Sequence, residues 1–148
     1  MYKHILIATD GSESATKAVT QGLALAKALG AKATAATVSE PWNFVLAALA
    51  EREHRPEPLA DYDTGTEAAA ERIFWSVHQI ARKLDQVCAT VHIKDRSPAE
   101  GILEAAQAHG CDLIVMGSHG RRGYAKLLLG SQTGRVLALS AAPVLVCR

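Results

Sequence analysis

Two loops of this sequence carry residues whose types suit the binding of an anionic ligand. The first is Thr9-Asp10-Gly11-Ser12, and the second is the glycine-rich stretch from Gly117 to Gly130. Glycine lets backbone N–H groups approach a ligand closely, because no Cβ lies in between. At a helix start such N–H groups have no partner within the helix and carry the positive end of its dipole. Because the second loop ends in Gly130-Ser131 before a predicted helix, it favours a phosphate group.

Several residues of these loops have a second interpretation. Asp10 could instead cap the first helix or bind its own turn, as aspartate before glycine often does. Ser131 could cap the last helix rather than donate its hydroxyl to a phosphate. Arg121 and Arg122 could cover a triphosphate or be solvated, and His119 could touch a phosphate or lie exposed. We favour ligand-binding roles for Asp10 and Ser131, leave the arginines open, and assign no catalytic role to His119.

Short apolar runs and helically spaced apolar residues predict the strands and helices that would position these loops. The predicted strands are residues 3–8, 32–38, 87–93, 112–116 and 144–147, and the predicted helices are 12–29, 64–84, 98–109 and 131–139. Thr64-x-x-Glu67 has the spacing of a capping box, and Ser97-Pro98-Ala99-Glu100 combines a capping serine with a proline at the first helical position. A further short helix is possible over residues 44–53. Strands that alternate with helices predict a parallel sheet with helices on both faces, a doubly wound α/β fold.

Composition predicts one globular domain over residues 1–148. The chain is 49% hydrophobic and 21% charged, and its longest apolar run, Phe44 to Ala50, is too short to span a membrane. The first residues hold too few apolar side chains for a signal-peptide core. The three cysteines have no paired spacing, which fits reduced core thiols and excludes a typical zinc site. We therefore expect a cytoplasmic protein without membrane contact.

The net charge of +1 hides an asymmetry along the chain. Residues 1–112 carry 11 basic and 15 acidic side chains, whereas residues 113–148 carry five basic side chains and no acid. The basic final quarter suits an anion, either a phosphate or a nucleic acid. A nucleic-acid partner is disfavoured, because the overall charge is near neutral and Tyr124 is the one aromatic residue among these basic side chains.

The motifs of several nucleotide-dependent protein classes are missing. The P-loop sequence Gly-x4-Gly-Lys-Ser/Thr does not occur, and no Gly-x-Gly-x-x-Gly follows the first strand. A phospho-receiver domain would need a pair of acids after the first strand, where only Asp10 stands, and a lysine before Pro143, where Ala141-Ala142 stands. Neither HxGH nor SGGxDS, which would indicate an adenylating enzyme, is present.

One spacing does match a known family. Gly117-x-x-Gly120, nine residues, and then Gly130-Ser131 resembles the G-2x-G-9x-G-S/T motif of the universal stress protein family. Asp10-Gly11-Ser12 after the first strand is similar to that family's N-terminal signature, and the resemblance covers the whole chain. It implies an adenine nucleotide α-hydrolase-like fold with the strand order 3-2-1-4-5.

The resemblance also implies ATP as the ligand, accompanied by Mg²⁺. Asp10 matches the acid near the ribose, the motif glycines and Ser131 match positions that wrap the ribose and phosphates, and Val38 matches by position the residue whose backbone recognises adenine. The complete set of predicted nucleotide-binding residues is Thr9, Asp10, Val38, Met116, Gly117, His119, Gly120, Arg121, Gly130, Ser131, Gln132 and Thr133.

The function that we expect is a nucleotide-dependent switch in a stress response, with an unknown protein partner. ATP hydrolysis requires a residue that positions the attacking water, and the sequence offers none that can be identified. A slow ATPase and an interaction module with a vestigial pocket remain alternatives. The resemblance also implies a homodimer, because strand 144–147 would be an apolar edge strand and family members pair through it.

Overall fold

The structure is a computed structural model that describes residues 1–42, 59–120 and 129–148. In this part of the chain one sheet contains five parallel strands in the order β3-β2-β1-β4-β5. The strands are β1 (His4–Ala8), β2 (Lys32–Val38), β3 (Ala89–Ile93), β4 (Leu113–Gly117) and β5 (Val144–Cys147). The predicted strand order is confirmed.

Four helices in the described part of the chain connect these strands. They are α1 (Glu13–Leu29), α2 (Leu59–Lys83), α3 (Pro98–Ala108) and α4 (Ser131–Leu139). The N-terminus of α1 is capped by the Ser12 hydroxyl, and α1 ends at Gly30, whose left-handed backbone suits glycine. None of the described helices has the length and apolar character needed to cross a bilayer.

The helices cover the two faces of the sheet in pairs. On one face, α1 and α2 pack against Ile5 and Ile7 of β1. On the other face, α3 and α4 pack against Leu6 of β1 and Ile114 of β4. Because β1 and β4 are buried on both sides, they form a rigid base for the loops at their carboxyl ends. The doubly wound α/β fold is confirmed.

The predicted start of α2 at the Thr64 capping box is wrong, because the helix begins at Leu59. Contacts with distant residues accompany the additional turn. The Tyr62 hydroxyl donates a hydrogen bond to the Glu40 carbonyl, and the Tyr62 ring lies 5.0 Å from the ring of Trp42. A local capping pattern contains no information about such contacts.

The predicted first residues of the third strand are also wrong. Strand β3 starts at Ala89, and Val87 is 87% exposed, because the pairing of β2 with β3 starts at Thr34 and Ala89.

The predicted capping serine of α3 is bonded differently from a typical cap. The Ser97 hydroxyl donates a hydrogen bond to the Glu100 carboxylate at 2.8 Å and makes no capping bond to the helix backbone. The possible helix over residues 44–53 lies outside the described residues.

Candidate functional site

A cavity of about 440 Å³ lies at the carboxyl end of the sheet. This is the edge at which open α/β sheets bind ligands, close to where the strand order reverses between β1 and β4. Of the twelve predicted nucleotide-binding residues, the structure brings eleven to this cavity, whereas Arg121 lies outside the described residues. The eleven are Thr9, Asp10, Val38, Met116, Gly117, His119, Gly120, Gly130, Ser131, Gln132 and Thr133.

The N-terminus of α4 forms one end of the cavity. Gly130 is the residue before the helix, and its carbonyl accepts the first helical hydrogen bond from Gly134 at 2.9 Å. The N–H groups of residues 131–133 therefore have no partner inside the helix. Ser131 is the first helical residue and not the cap, and its hydroxyl makes no bond within the described part of the chain. This end of the cavity thus offers backbone donors and a hydroxyl to an anion.

Hydrogen bonds hold both ends of the glycine-rich loop. Gly130 N–H donates to the Ser118 carbonyl at 2.8 Å, and Ser118 N–H donates to the Cys147 carbonyl at 2.8 Å. The buried Thr133 hydroxyl donates to the Gly117 carbonyl at 3.0 Å. The ends of β4 and β5 and the start of α4 are therefore fixed relative to each other.

Two motif glycines are needed for space rather than for backbone conformation. A Cβ on Gly117 would lie 2.5 Å from the Ser14 hydroxyl and 2.9 Å from the Ser14 carbonyl carbon. A Cβ on Gly120 would lie 3.0 Å from Oδ2 of Asp10. The first glycine lets β4 approach the first turn of α1, and the second brings the loop against Asp10.

Asp10 supports its own turn and also faces the cavity. Its Oδ1 accepts a hydrogen bond from Ser12 N–H at 2.9 Å, so the turn-binding interpretation holds for that oxygen. The helix-capping interpretation is wrong, because the Ser12 hydroxyl caps α1 by accepting from Ala15 N–H. Since Oδ2 points toward Gly120, Asp10 joins the first loop to the glycine-rich loop.

His119 is held in one orientation by its neighbour. Its Nδ1 lies 2.9 Å from the Ser118 hydroxyl, and Ser118 is 5% exposed. The Nε2 atom is buried and has no partner in the described ranges. The imidazole is therefore not the solvent-exposed group that a loop histidine usually is.

Val38 lies where β2 ends, and its side chain packs on helix α3. A Cβ on Gly101 would lie 2.7 Å from both methyl groups of Val38 and 3.3 Å from Ile93. Gly101 is buried and lets α3 approach the end of β2. Gly101 was not predicted to affect the site, since its effect depends on a contact between distant parts of the chain.

Sequence patterns also missed the side of the cavity formed by α2 and by the ends of β2 and β3, which we call the α2 wall. It includes the side chains Thr37, Ser39, Tyr62, Thr66 and His92. Ser39 Oγ and His92 Nε2 lie 2.9 Å apart. Burial lowers the pKa of His92, with a smaller contribution from the charge of Lys94. His92 is therefore neutral near pH 7.

An ion pair between Lys94 and Glu67 lies beside the α2 wall. Lys94 donates a hydrogen bond to the Glu67 carboxylate, which raises the pKa of Lys94 and lowers that of Glu67. The pKa of Tyr62 is raised by burial and then by nearby carboxylates, Glu40 first. The Tyr62 hydroxyl is therefore protonated at neutral pH and acts as a donor. The α2 wall offers neutral hydrogen-bonding groups, in contrast to the anion-binding end at α4.

Comparison with known proteins places the chain in a family. The sequence profile described as the Universal stress protein family matches residues 1–148. The chain belongs to this family. It is 31% identical over 154 aligned positions to the "Universal stress protein in QAH/OAS sulfhydrylase 3'region" of Thermus aquaticus, and the match covers 100% of each chain.

Solved universal stress protein structures share the fold. The hypothetical protein MJ0577 of Methanocaldococcus jannaschii has a TM-score of 0.80 at 25% identity, over 99% of this chain and 96% of its own. A universal stress protein in complex with cAMP has a TM-score of 0.72 at 24% identity, over 99% and 97% of the two chains. One from Archaeoglobus fulgidus in complex with dAMP has a TM-score of 0.67 at 17% identity, over 99% and 98%.

Proposed function

We propose that this protein binds ATP in the cavity at the carboxyl end of the sheet and acts as a nucleotide-dependent switch in a stress response. The observation that carries the proposal is the N-terminus of α4. It presents unpaired backbone donors and the Ser131 hydroxyl to a cavity that Asp10 and the motif glycines also line. A volume of about 440 Å³ lies in the range of small-molecule sites. Two structural neighbours, which hold cAMP and dAMP, support an adenine nucleotide.

Mg²⁺ would bind at this site only together with the triphosphate of ATP. Across residues 1–42, 59–120 and 129–148 no group of three or more potential ligand side chains could hold a metal ion. Mg²⁺ is commonly held by one or two carboxylates together with substrate phosphates. Asp10 and Glu40 are the carboxylates that line the cavity. Bound Mg²⁺ would neutralise phosphate charge, and the chain's own contribution is to hold the phosphates at the start of α4.

Calorimetric titration of protein stripped of nucleotide tests the proposal. We expect MgATP to bind with micromolar or tighter affinity and AMP to bind more weakly, because AMP lacks the phosphates that reach the α4 N-terminus. Gly117→Ala should weaken ATP binding, since its Cβ would displace the first turn of α1. Gly65→Ala is the matched control, because its Cβ meets nothing within 4 Å. Absence of heat from folded wild-type protein would instead support an interaction module with a vestigial pocket.

The proposal includes a homodimer formed through β5. This strand is an edge of the sheet, and Leu145 on it is 39% exposed. Exposed apolar edge strands tend to pair with a second chain. We expect a dimer at micromolar concentration in analytical ultracentrifugation and a monomer for Leu145→Glu. A wild-type monomer under the same conditions would contradict this part of the proposal.

The location and the partner belong to the proposal as well. The three cysteines are free, and two of them are buried, which supports a reducing compartment such as the cytoplasm. A switch also requires a protein partner that distinguishes the nucleotide-bound form. Affinity capture with and without MgATP would identify such a partner by its dependence on the nucleotide.

A further inference from the structure

The N-terminus of α3 is capped by a side chain of another helix. The Ser97 hydroxyl makes no bond to the backbone of α3, and Pro98, the first helical residue, has no N–H group. The next N–H group, that of Ala99, donates to Oε1 of Gln132 at 3.1 Å. Gln132 therefore does the work of a capping side chain, although it lies 33 positions further along the chain.

The bond to Ala99 fixes the orientation of the Gln132 carboxamide. Ala99 is fully buried, and buried backbone N–H groups are almost always hydrogen-bonded. Because a backbone N–H can only donate, the carboxamide must face it with the oxygen and not with the nitrogen. The Gln132 side chain is thus held across the boundary between α3 and α4.

Gln132 also belongs to the anion-binding end of the cavity. It is the second residue of α4, and its own backbone N–H is one of the donors without a partner inside the helix. Gln132 and Pro98 both line the cavity. The next residue, Thr133, bonds the Gly117 carbonyl, so the first turn of α4 is tied to β4 as well as to α3. An anion held at this turn would bind the same residues that cap α3.

Helix α3 connects this turn with the opposite side of the cavity. Ala99 and Ile102 share a core cluster with Val136 of α4, so the two helices pack on each other. Gly101, two residues after Ala99, lies against Val38, where a Cβ would be 2.7 Å from the valine methyl groups. A displacement of the start of α3 would therefore also affect the end of β2.

We propose that Gln132 is a positioning residue that couples the anion-binding end of the cavity to helix α3. This inference rests on the proposed function. Phosphates bound at α4 would hold the backbone of Gln132, and with it the side chain that caps Ala99. Coupling between two sites is reciprocal, so the cap in turn strengthens phosphate binding. The start of α3 then responds to occupancy of the phosphate end, as a nucleotide-dependent switch requires.

The test uses two ligands and three variants. MgATP is compared with adenosine, which lacks the phosphates. Gln132→Met keeps the side-chain length but removes the carboxamide oxygen, and Gln107→Met is the matched control at an exposed glutamine near the other end of α3. The double variant Ser97→Asn/Gln132→Met gives α3 a local cap that does not depend on α4. Calorimetric titration gives the dissociation constants, and amide hydrogen exchange measured by NMR gives the protection of Ala99.

In the wild type, MgATP should slow exchange of the Ala99 amide and adenosine should not. Gln132→Met should weaken MgATP binding about three- to fivefold, within the net effect of one hydrogen bond, and leave adenosine binding unchanged. In this variant MgATP should no longer slow exchange at Ala99. Gln107→Met should behave as the wild type does. The double variant should recover protection of Ala99 in the free protein but not the affinity for MgATP.

The possible contrary results separate this inference from the proposed function. Unchanged MgATP affinity in folded Gln132→Met would refute the coupling and leave the proposed function standing. Equal weakening of both ligands, or full recovery of MgATP affinity in the double variant, would show that Gln132 only supports the fold of α3. Wild-type protein that binds neither ligand would refute the proposed function, and this inference with it. If Gln132→Met does not fold, the double variant gives the same affinity measurement in a capped helix.

Discussion

Replacing Gly101 by alanine tests whether the position of Val38 depends on the close approach of α3. An alanine in a helix interior normally stabilises by about 1 kcal/mol relative to glycine. Here the new Cβ would lie 2.7 Å from two methyl groups of Val38, closer than carbon atoms can pack. Over-packing of a tight core costs about 1–3 kcal/mol. The net change in the free energy of unfolding should therefore range from about zero to a loss of about 2 kcal/mol.

Gly65→Ala provides the matched comparison. Gly65 also lies inside a helix, but a Cβ there meets nothing within 4 Å. The free energy of unfolding of this variant should rise by about 1 kcal/mol, because alanine has a higher helix propensity than glycine and no packing cost opposes it. The difference between the two variants then isolates the packing cost, about 1–3 kcal/mol. For a domain of this size, each kcal/mol corresponds to about 2–4 °C in melting temperature.

Urea unfolding and thermal melts of both variants, followed by circular dichroism, give these differences. Calorimetric titration with MgATP adds the functional measurement, because a displaced Val38 changes the cavity that it lines. Gly101→Ala should bind ATP more weakly than Gly65→Ala does. If both variants gain stability equally and bind ATP equally, the close contact between Gly101 and Val38 does not position the site, and the reasoning is refuted.

Two further predictions concern stability and reactivity. The Asp112 carboxylate accepts hydrogen bonds from the backbone N–H groups of His4 and Lys3, which hold its pKa below the ordinary value. The stability that the ionised carboxylate contributes is complete above about pH 4 and is lost as the pH falls through the lowered pKa. Asp112→Asn should therefore be less stable than the wild type at pH 7. In urea unfolding at acidic pH, the stability difference between the two proteins should shrink. Burial raises the pKa of Cys88 and Cys111 to about 11 and also raises that of Cys147. At pH 8 a thiol reagent such as DTNB should label the folded protein slowly and label three thiols at once in denaturant; rapid labelling of folded protein would contradict this.

Local sequence signals predicted the elements whose ends depend on neighbouring residues. Gly30 ends α1 in a left-handed conformation, and α4 and β5 have the predicted bounds. Local sequence signals do not determine the strand order, because that order depends on which distant strands pair. It was predicted through the resemblance that the glycine spacing carries, and no local pattern contains it.

The wrong predictions share a physical cause. Val87 continues an alternating apolar pattern, yet the pairing of β2 with β3 starts only at Thr34 and Ala89, and Val87 stays exposed. Thr64 has capping spacing, but Tyr62 contacts residues of the loop after β2 and lies in the helix. In both cases a contact between distant segments overrides a local preference.

The same distinction divides the candidate site. Its anion-binding end consists of backbone groups whose geometry follows from glycines at fixed spacing, so the sequence alone indicates an anionic ligand. The α2 wall consists of side chains that the pairing of β2 with β3 and the packing of α2 bring together. No spacing along the chain predicts that Thr37 and His92 are neighbours. The glycine motif therefore indicates an anionic ligand from the sequence alone, whereas the polar side chains of the α2 wall become neighbours only in the folded chain.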